Sequence, residues 1–321
     1  MLNQFAVVLC LGGLLTASAP ACDLCAIYTA SEAKESKPGF YLGAFEQFTH
    51  YGTLQQNGRE VNNSVDQFMD SFITQAMIGY RFNPRFGLQL NIPYIVRSFQ
   101  RPEPTSPTTF KVMRGTENGL GDVSLIANVR AYEHVTADST FILSALGGVK
   151  FPTGQSDRLR EELHEIEVPG APESGIHGHD LALGSGSFDG IVGASAFGSW
   201  KRIFASASGQ YAIRSEGAIG YEYANDLTWS GGPGVYLWLA HGGTLSLQFN
   251  VSGETKGMDT FKGQKAADTG ITSVYLGPEF AFTWKEKLSA DLGVDVPVLQ
   301  DNSKLQLVSD YRIRAGVTWR F

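Results

Sequence analysis

The closing stretch Leu307-Val308-Ser309-Asp310-Tyr311-Arg312-Ile313-Arg314-Ala315-Gly316-Val317-Thr318-Trp319-Arg320-Phe321 decides the fold. Leu307, Tyr311, Ile313, Ala315, Val317, Trp319 and Phe321 fall on one parity, and Asp310, Arg312, Arg314, Thr318 and Arg320 on the other. Successive side chains of a strand point to opposite faces, so this is a strand with one greasy and one mostly polar face. A soluble sandwich turns such a greasy face inward. A barrel in lipid turns it outward and keeps the polar face for its lumen.

The same period recurs upstream. Leu288, Ala290, Leu292, Val294, Val296 and Val298 alternate with Ser289, Asp291, Gly293 and Asp295. Leu245, Leu247, Phe249 and Val251 alternate with Ser246, Gln248, Asn250 and Ser252. Phe86, Leu88, Leu90, Ile92 and Tyr94 do so with Gly87, Gln89, Asn91 and Pro93. Further strands are expected near 39–51, 68–82, 119–134, 140–151, 181–199, 203–214, 224–239 and 270–284, about twelve in all. Ile73, Ile126, Leu146 and Trp238 break the pattern and are expected in the lumen.

Short turns at 83–85, 136–138, 201–202, 241–242 and 285–287 alternate with longer polar segments near 52–66, 100–118, 153–180, 215–224, 254–269 and 300–306. Short periplasmic turns and long extracellular loops are the grammar of outer-membrane barrels, and an even strand count places both termini in the periplasm. The expectation is therefore an all-β, transmembrane antiparallel barrel over 39–321, in contact with outer-membrane lipid. The aromatic end Trp319-Arg320-Phe321 resembles the signal by which such barrels are recognised for assembly, so the assembly machinery is an expected partner through Phe321.

Composition agrees. The chain has 37 Gly and 12% aromatic residues but only 18% charged residues, and its mean hydropathy is −0.09. Past the N-terminus no stretch approaches the roughly 20 apolar residues of a membrane helix. The net charge of −7, with no basic stripe, removes the attraction that dominates nucleic-acid binding. Phe5 to Leu15 form a short apolar core followed by Thr16-Ala17-Ser18-Ala19-Pro20-Ala21, so residues 1–21 read as a cleaved signal peptide although the segment before Phe5 carries no Lys or Arg. Export then leaves Cys22 and Cys25, which read as a local disulfide or idle thiols in an oxidising compartment, with a metal or redox role as the alternative. Residues 22–38 are expected to be a periplasmic tail or, alternatively, a segment that plugs the barrel.

Four segments carry a resemblance: Asn91-Ile92-Pro93-Tyr94, Gly119-Leu120-Gly121-Asp122-Val123, Gly148-Val149-Lys150-Phe151-Pro152-Thr153-Gly154, and Leu183-Gly184-Ser185-Gly186-Ser187-Phe188-Asp189. In this order and spacing the chain resembles the bacterial outer-membrane barrels grouped under meta-pathway phenol degradation. The resemblance implies a transport barrel associated with uptake of aromatic or other hydrophobic small molecules, with no cofactor. Physically, Gly119, Gly121, Gly184 and Gly186 read as strand bends or bulges that help a sheet curl to closure.

Alternation points Arg81, Arg97, Arg130, Lys150, Arg214, Arg312, Arg314 and Arg320 inward with Asp122, Glu279, Asp291, Asp295 and Asp310. These are expected as paired lumenal ions; the functional alternative has Arg312 and Arg314 facing Asp291 and Asp295 in a constriction that selects solutes by charge. The segment from Thr153 to Asp180 is rich in carboxylates and reads as a solvated acidic loop, with Leu159, Leu163 and Ile166 at helical spacing. The alternative there is metal ligation by His164, His177, His179 and Asp180, a nitrogen and oxygen set suited to Cu(II), Zn or Ni. A catalytic barrel would need a Ser paired with a His near the membrane rim, and no such motif stands out, so the chain is not expected to be an enzyme.

Overall fold

The structure is a computed structural model and describes residues 38–106, 108–163, 171–240, 242–285 and 287–321. The expected signal peptide, the segment up to 37 with Cys22 and Cys25, and His164 lie outside the described residues.

Twelve antiparallel strands close on themselves. They are β1 (Gly39–Gln56), β2 (Phe68–Asn83), β3 (Phe86–Ser106), β4 (Thr109–Leu120, resumed over Ser124–Val135), β5 (Ser139–Lys150), β6 (Asp189–Trp200), β7 (Ile203–Ile213), β8 (Asp226–Ala240), β9 (Gly243–Lys256), β10 (Ile271–Trp284), β11 (Leu288–Asn302) and β12 (Leu305–Arg320). Closure is the pairing of β1 with β12, from Tyr41↔Arg320 to Gln56↔Leu305. A closed sheet has no unpaired edge, which is the condition for a β structure in hydrocarbon.

The alternating faces fall as the sequence predicts. Phe40, Leu42, Ile78, Val192, Phe249, Phe280, Leu292, Val294, Val317 and Trp319 are exposed on the outside, whereas Gln47, Gln89, Asn91, Ser206, Gln210 and Gln248 are buried inside. An apolar belt of that extent on a water-soluble monomer would be far larger than the patches such proteins tolerate. At the short-turn end the belt finishes in aromatic rings. Phe40, Tyr80, Phe82 and Phe86 contact in series at 4.6, 4.9 and 5.4 Å between centroids, and Trp238 stacks on Trp284 at 6.2 Å. Lys201 and Lys285 lie over Trp200 and Trp284, where a long cationic side chain reaches the interface.

Several expectations change. The segment 100–118 is not a loop: β3 and β4 pair up to Ser106↔Thr109 and continue as a long hairpin. Residues 181–188 do not belong to a strand, because β6 begins only at Asp189. Gly184 and Gly186 accordingly lie in the preceding loop, Gly186 at φ +73°. Trp238 is 39% exposed and turned outward by a bulge between Tyr236 and Trp238. Asp310 meets His50 and Thr53 on the outer wall, where the register slips between His50, Tyr51 and Thr53. Gly121 and Asp122 mark an interruption in β4, since β3 pairs with both halves and Gly121 donates to Pro93 O at 2.9 Å across the break.

The main departure is the loop between β5 and β6. Its described residues fold into the barrel rather than standing in water. A 3₁₀ turn over Asp157–Leu163 and a four-residue helix, α1 (Gly178–Leu181), carry Leu159, Ile176, Leu181 and Leu183 into burial. Leu159, Ala182 and Leu183 pack on the lumenal Ile73, Ile95, Ile126 and Ile191, with Leu146 at the edge. Ile176 and Leu181 pack on Tyr51, Leu54, Met69, Phe99 and Leu307. The apolar residues at lumenal positions are therefore the wall's half of an internal core, and three of the four residues that broke the strand pattern belong to it. Over this plug lies a small sheet of Tyr221–Glu222, Thr260–Phe261 and Gln264–Lys265, from which Tyr221 joins the same core.

Candidate functional site

The plug is held by ions as well as by apolar contact. At its base, Leu183 N and Gly184 N both donate to Gln155 O at 2.9 Å. A Cβ on Gly184 would stand 2.5 Å from the Gly154 carbonyl carbon, so the two ends of the loop meet as bare backbone. Beside this clasp Lys150 Nζ lies 2.7 Å from Asp122 and 2.8 Å from Asp189, all three side chains fully buried. Arg214 extends the network to Asp189 (3.0 Å) and Asp226 (2.6 Å). Ser185 of the plug enters it by donating its N–H to Asp122 at 2.9 Å, and Ser187 donates to Asp189 at 2.8 Å. The break in β4 thus frees Asp122 to anchor both wall and plug.

Higher on the plug, Arg97 donates through Nη1 to Ala182 O at 2.9 Å and to Asp180 O. Arg101 pairs with Glu161 at 2.7 Å, and Arg158 bridges Glu117 of β4 and Glu161. Burial alone would raise the Glu161 carboxyl, but Arg101 and Arg158 outweigh it and hold it below its ordinary value of 4.5. Arg158 is itself raised, first by its bond to Glu117. The plug also substitutes for wall. The β11–β12 ladder runs from Leu288↔Trp319 to Asp295↔Arg312; beyond it Leu307 N donates to Gly175 O at 3.0 Å, and Gln300 Nε2 donates to Ser309 O at 2.9 Å. Between plug and wall lies a cavity of about 60 Å³ lined by Arg97, His179, Asp180, Tyr223, Lys256 and Leu307 among others.

A second ionic group sits in the middle of the barrel. Arg314 reaches Asp295 at 2.9 Å and Glu279 at 3.4 Å. Asn250, its amide oriented to donate to Gly231 O, accepts from Arg314 Nη2 at 3.2 Å. Arg312 instead lies over the Tyr275 ring, 3.5 Å from its centroid, and its Nε and Nη1 have no hydrogen-bond partner among the described residues. The expected facing pairs are thus realised for Arg314 with Asp295. Glu279 completes that pair, and Asp291 stands farther down opposite Gly316.

His177, His179 and Asp180 converge in the plug, each offering a ligand atom within 4.8 Å of the others. His179 Nδ1 lies 3.0 Å from Glu162 and its ring lies parallel to those of His177 and Tyr221. Burial opposes charge on His179, but Asp180 and Glu162 prevail and hold its pKa up to about 10; Glu162 in turn is pushed down to about 2 by His179. A further cluster carries no signal in the sequence. On the outer wall His50 Nδ1 lies 2.6 Å from Asp70, and its Nε2 faces Asp310 at 3.7 Å rather than a serine. Only strand pairing brings these positions together, so spacing along the chain gives no sign of them.

Fold and site together define a closed, twelve-stranded barrel of outer-membrane type with a loop packed inside its mouth. No family model matches the sequence, and no curated protein does. Among solved structures the chain is similar to the COG4313 outer membrane channel from Pseudomonas putida F1. The TM-score is 0.56 at 13% identity, over 89% of this chain and 97% of that one. Two others are the toluene transporter TbuX of Ralstonia pickettii (TM-score 0.40, 10% identity, 95% and 96% covered) and a Pseudomonas aeruginosa FadL homologue (TM-score 0.36, 12% identity, 95% of each chain covered).

Proposed function

We propose that the protein is an outer-membrane conduit for small solutes, with the loop between β5 and β6 as its internal gate. The observation that carries this reading is the polar, doubly charged lumen interrupted by a mouth plug. The plug's contacts are divided between an apolar core and ion pairs with the wall, of which the Arg158–Glu117 pair is partly exposed. The preference for hydrophobic or aromatic solutes comes from the family resemblance carried by the four segments and from the apolar lining that an outward-moving plug would uncover. In the same reading residues 1–21 are removed on export, both termini face the periplasm, and Phe321 is presented to the assembly machinery.

The test is liposome swelling and single-channel recording with a panel of phenols, sugars and salts. Permeation of at least one solute class, faster for phenols than for sugars of similar size, supports the reading. Liposomes that swell no faster than empty ones, for the whole panel and for a plug-deleted variant alike, would leave only a structural barrel.

A further inference from the structure

We propose that His177, His179 and Asp180 form a binding site for a single divalent transition-metal ion of the zinc class, built into the plug. Zinc bonds to imidazole nitrogen and carboxylate oxygen are about 2.0–2.1 Å long, so the donor atoms of a tetrahedral site stand about 3.3–3.4 Å apart. Here His179 Nε2 is 3.4 Å from Asp180 Oδ1, and His177 Nδ1 is 3.8 Å from Asp180 Oδ2. Both separations are close to the edge of a coordination polyhedron. The three ligand atoms lie within 4.8 Å of one another, so binding would draw them closer by up to about 1.4 Å to reach tetrahedral spacing.

The site is preorganised by independent contacts. His179 Nδ1 lies 3.0 Å from Glu162, which leaves Nε2 as the nitrogen turned to the site, and an ion bound there would displace the Nε2 proton; a carboxylate behind a ligating histidine is the usual support of such sites. Asp180 is fixed because its Oδ2 accepts the backbone N–H of His177 at 2.8 Å, within the turn that begins α1. The Tyr221 ring holds the other face of His179. A fourth position has its own candidate: Asp268, on the loop between β9 and β10, lies 3.4 Å from His177 Nδ1. Were it to join, the ion would tie the plug to a neighbouring loop. The donor set of two imidazoles and one or two carboxylates suits zinc, copper or nickel far better than calcium or magnesium, which take oxygen alone.

The test uses the full chain without a histidine tag, refolded in detergent, in a background with Cys22 and Cys25 replaced by Ser so that thiolates contribute nothing. Titration with Zn²⁺ alone by calorimetry is expected to give one site per chain. Co²⁺ alone should give the visible absorption of a four- or five-coordinate nitrogen and oxygen site. His177→Ala and Asp180→Asn are each expected to weaken binding at least tenfold, and Glu162→Gln, which removes only the support, about tenfold as well. Unchanged Zn²⁺ affinity in His177→Ala and Asp180→Asn would overturn the proposal. So would a cobalt spectrum of octahedral type in the cysteine-free parent, a result that does not depend on any site variant folding.

Discussion

Lys150 is the residue on which the mouth depends. Its ammonium is buried between Asp122 and Asp189, and Arg214 shares the second carboxylate. Removing one partner of such a group leaves charge without solvent or counter-ion, at a cost of about 3–5 kcal/mol, whereas a complete apolar replacement would be milder. Lys150→Met should therefore lower the urea midpoint of the refolded barrel, and adding Asp122→Asn should recover part of the loss. Leu159 makes the complementary case. It is fully buried against Ile73, Ile95 and Ile126, and Leu159→Ala is expected to weaken plug docking by about 2–4 kcal/mol while leaving the wall intact. The check is more frequent opening in single-channel records with unchanged heat-modifiable migration. The residue-level clue to all this was present in Ile73, Ile126 and Leu146, apolar side chains on the lumenal parity. Periodicity alone assigns them to the lumen without saying what covers them. The covering residues, Leu159 and Leu183, lie in a stretch so rich in carboxylates that its few apolar positions read as incidental.

Among the elements, strands were more legible than loops because a strand's alternation is imposed by one continuous environment on each face, lipid outside and polar lumen inside. The expected bounds of β1, β2, β5, β7, β10 and β12 differ from the observed ones by a few residues. The departures are of two kinds: the β3–β4 hairpin outruns the membrane, so pairing continues after the lipid constraint that writes the pattern has ended, and β6 starts late because residues 181–188 belong to the plug. Trp238 and Asp310 face outward against their parity because a bulge shifts alternation by one residue and is invisible to a count of it. The plug's attachment to β3 and β4 carries a pH dependence. Glu161 faces Arg101 of β3 and Arg158 of its own turn, which also binds Glu117 of β4. Because its folded-state pKa lies below 4.5, its contribution is present above that value and is lost as pH falls through the lowered one. Opening should become more frequent as pH drops below 4.5, and Glu161→Gln should open readily at neutral pH with a flattened response; an unchanged pH profile in that variant would dissociate Glu161 from the gate.

Taken whole, the molecule is a closed wall enclosing a loop that packs inside its mouth. Hydrogen bonding closes the wall through β1 and β12, and its outer belt needs lipid or detergent. The described plug, in contrast, adds no strand to the barrel and meets it mostly through side chains. The barrel should accordingly survive loss of the plug, with circular dichroism in detergent still dominated by strand. The most direct measurement is single-channel conductance of a variant in which residues 156–182 are replaced by a short Gly-Ser linker, compared with the intact chain in the same planar bilayer. Conductance is expected to be several-fold higher and steadier once the internal loop is gone. Equal conductance in the two proteins, with the barrel intact in both, would contradict the claim that this loop closes the lumen.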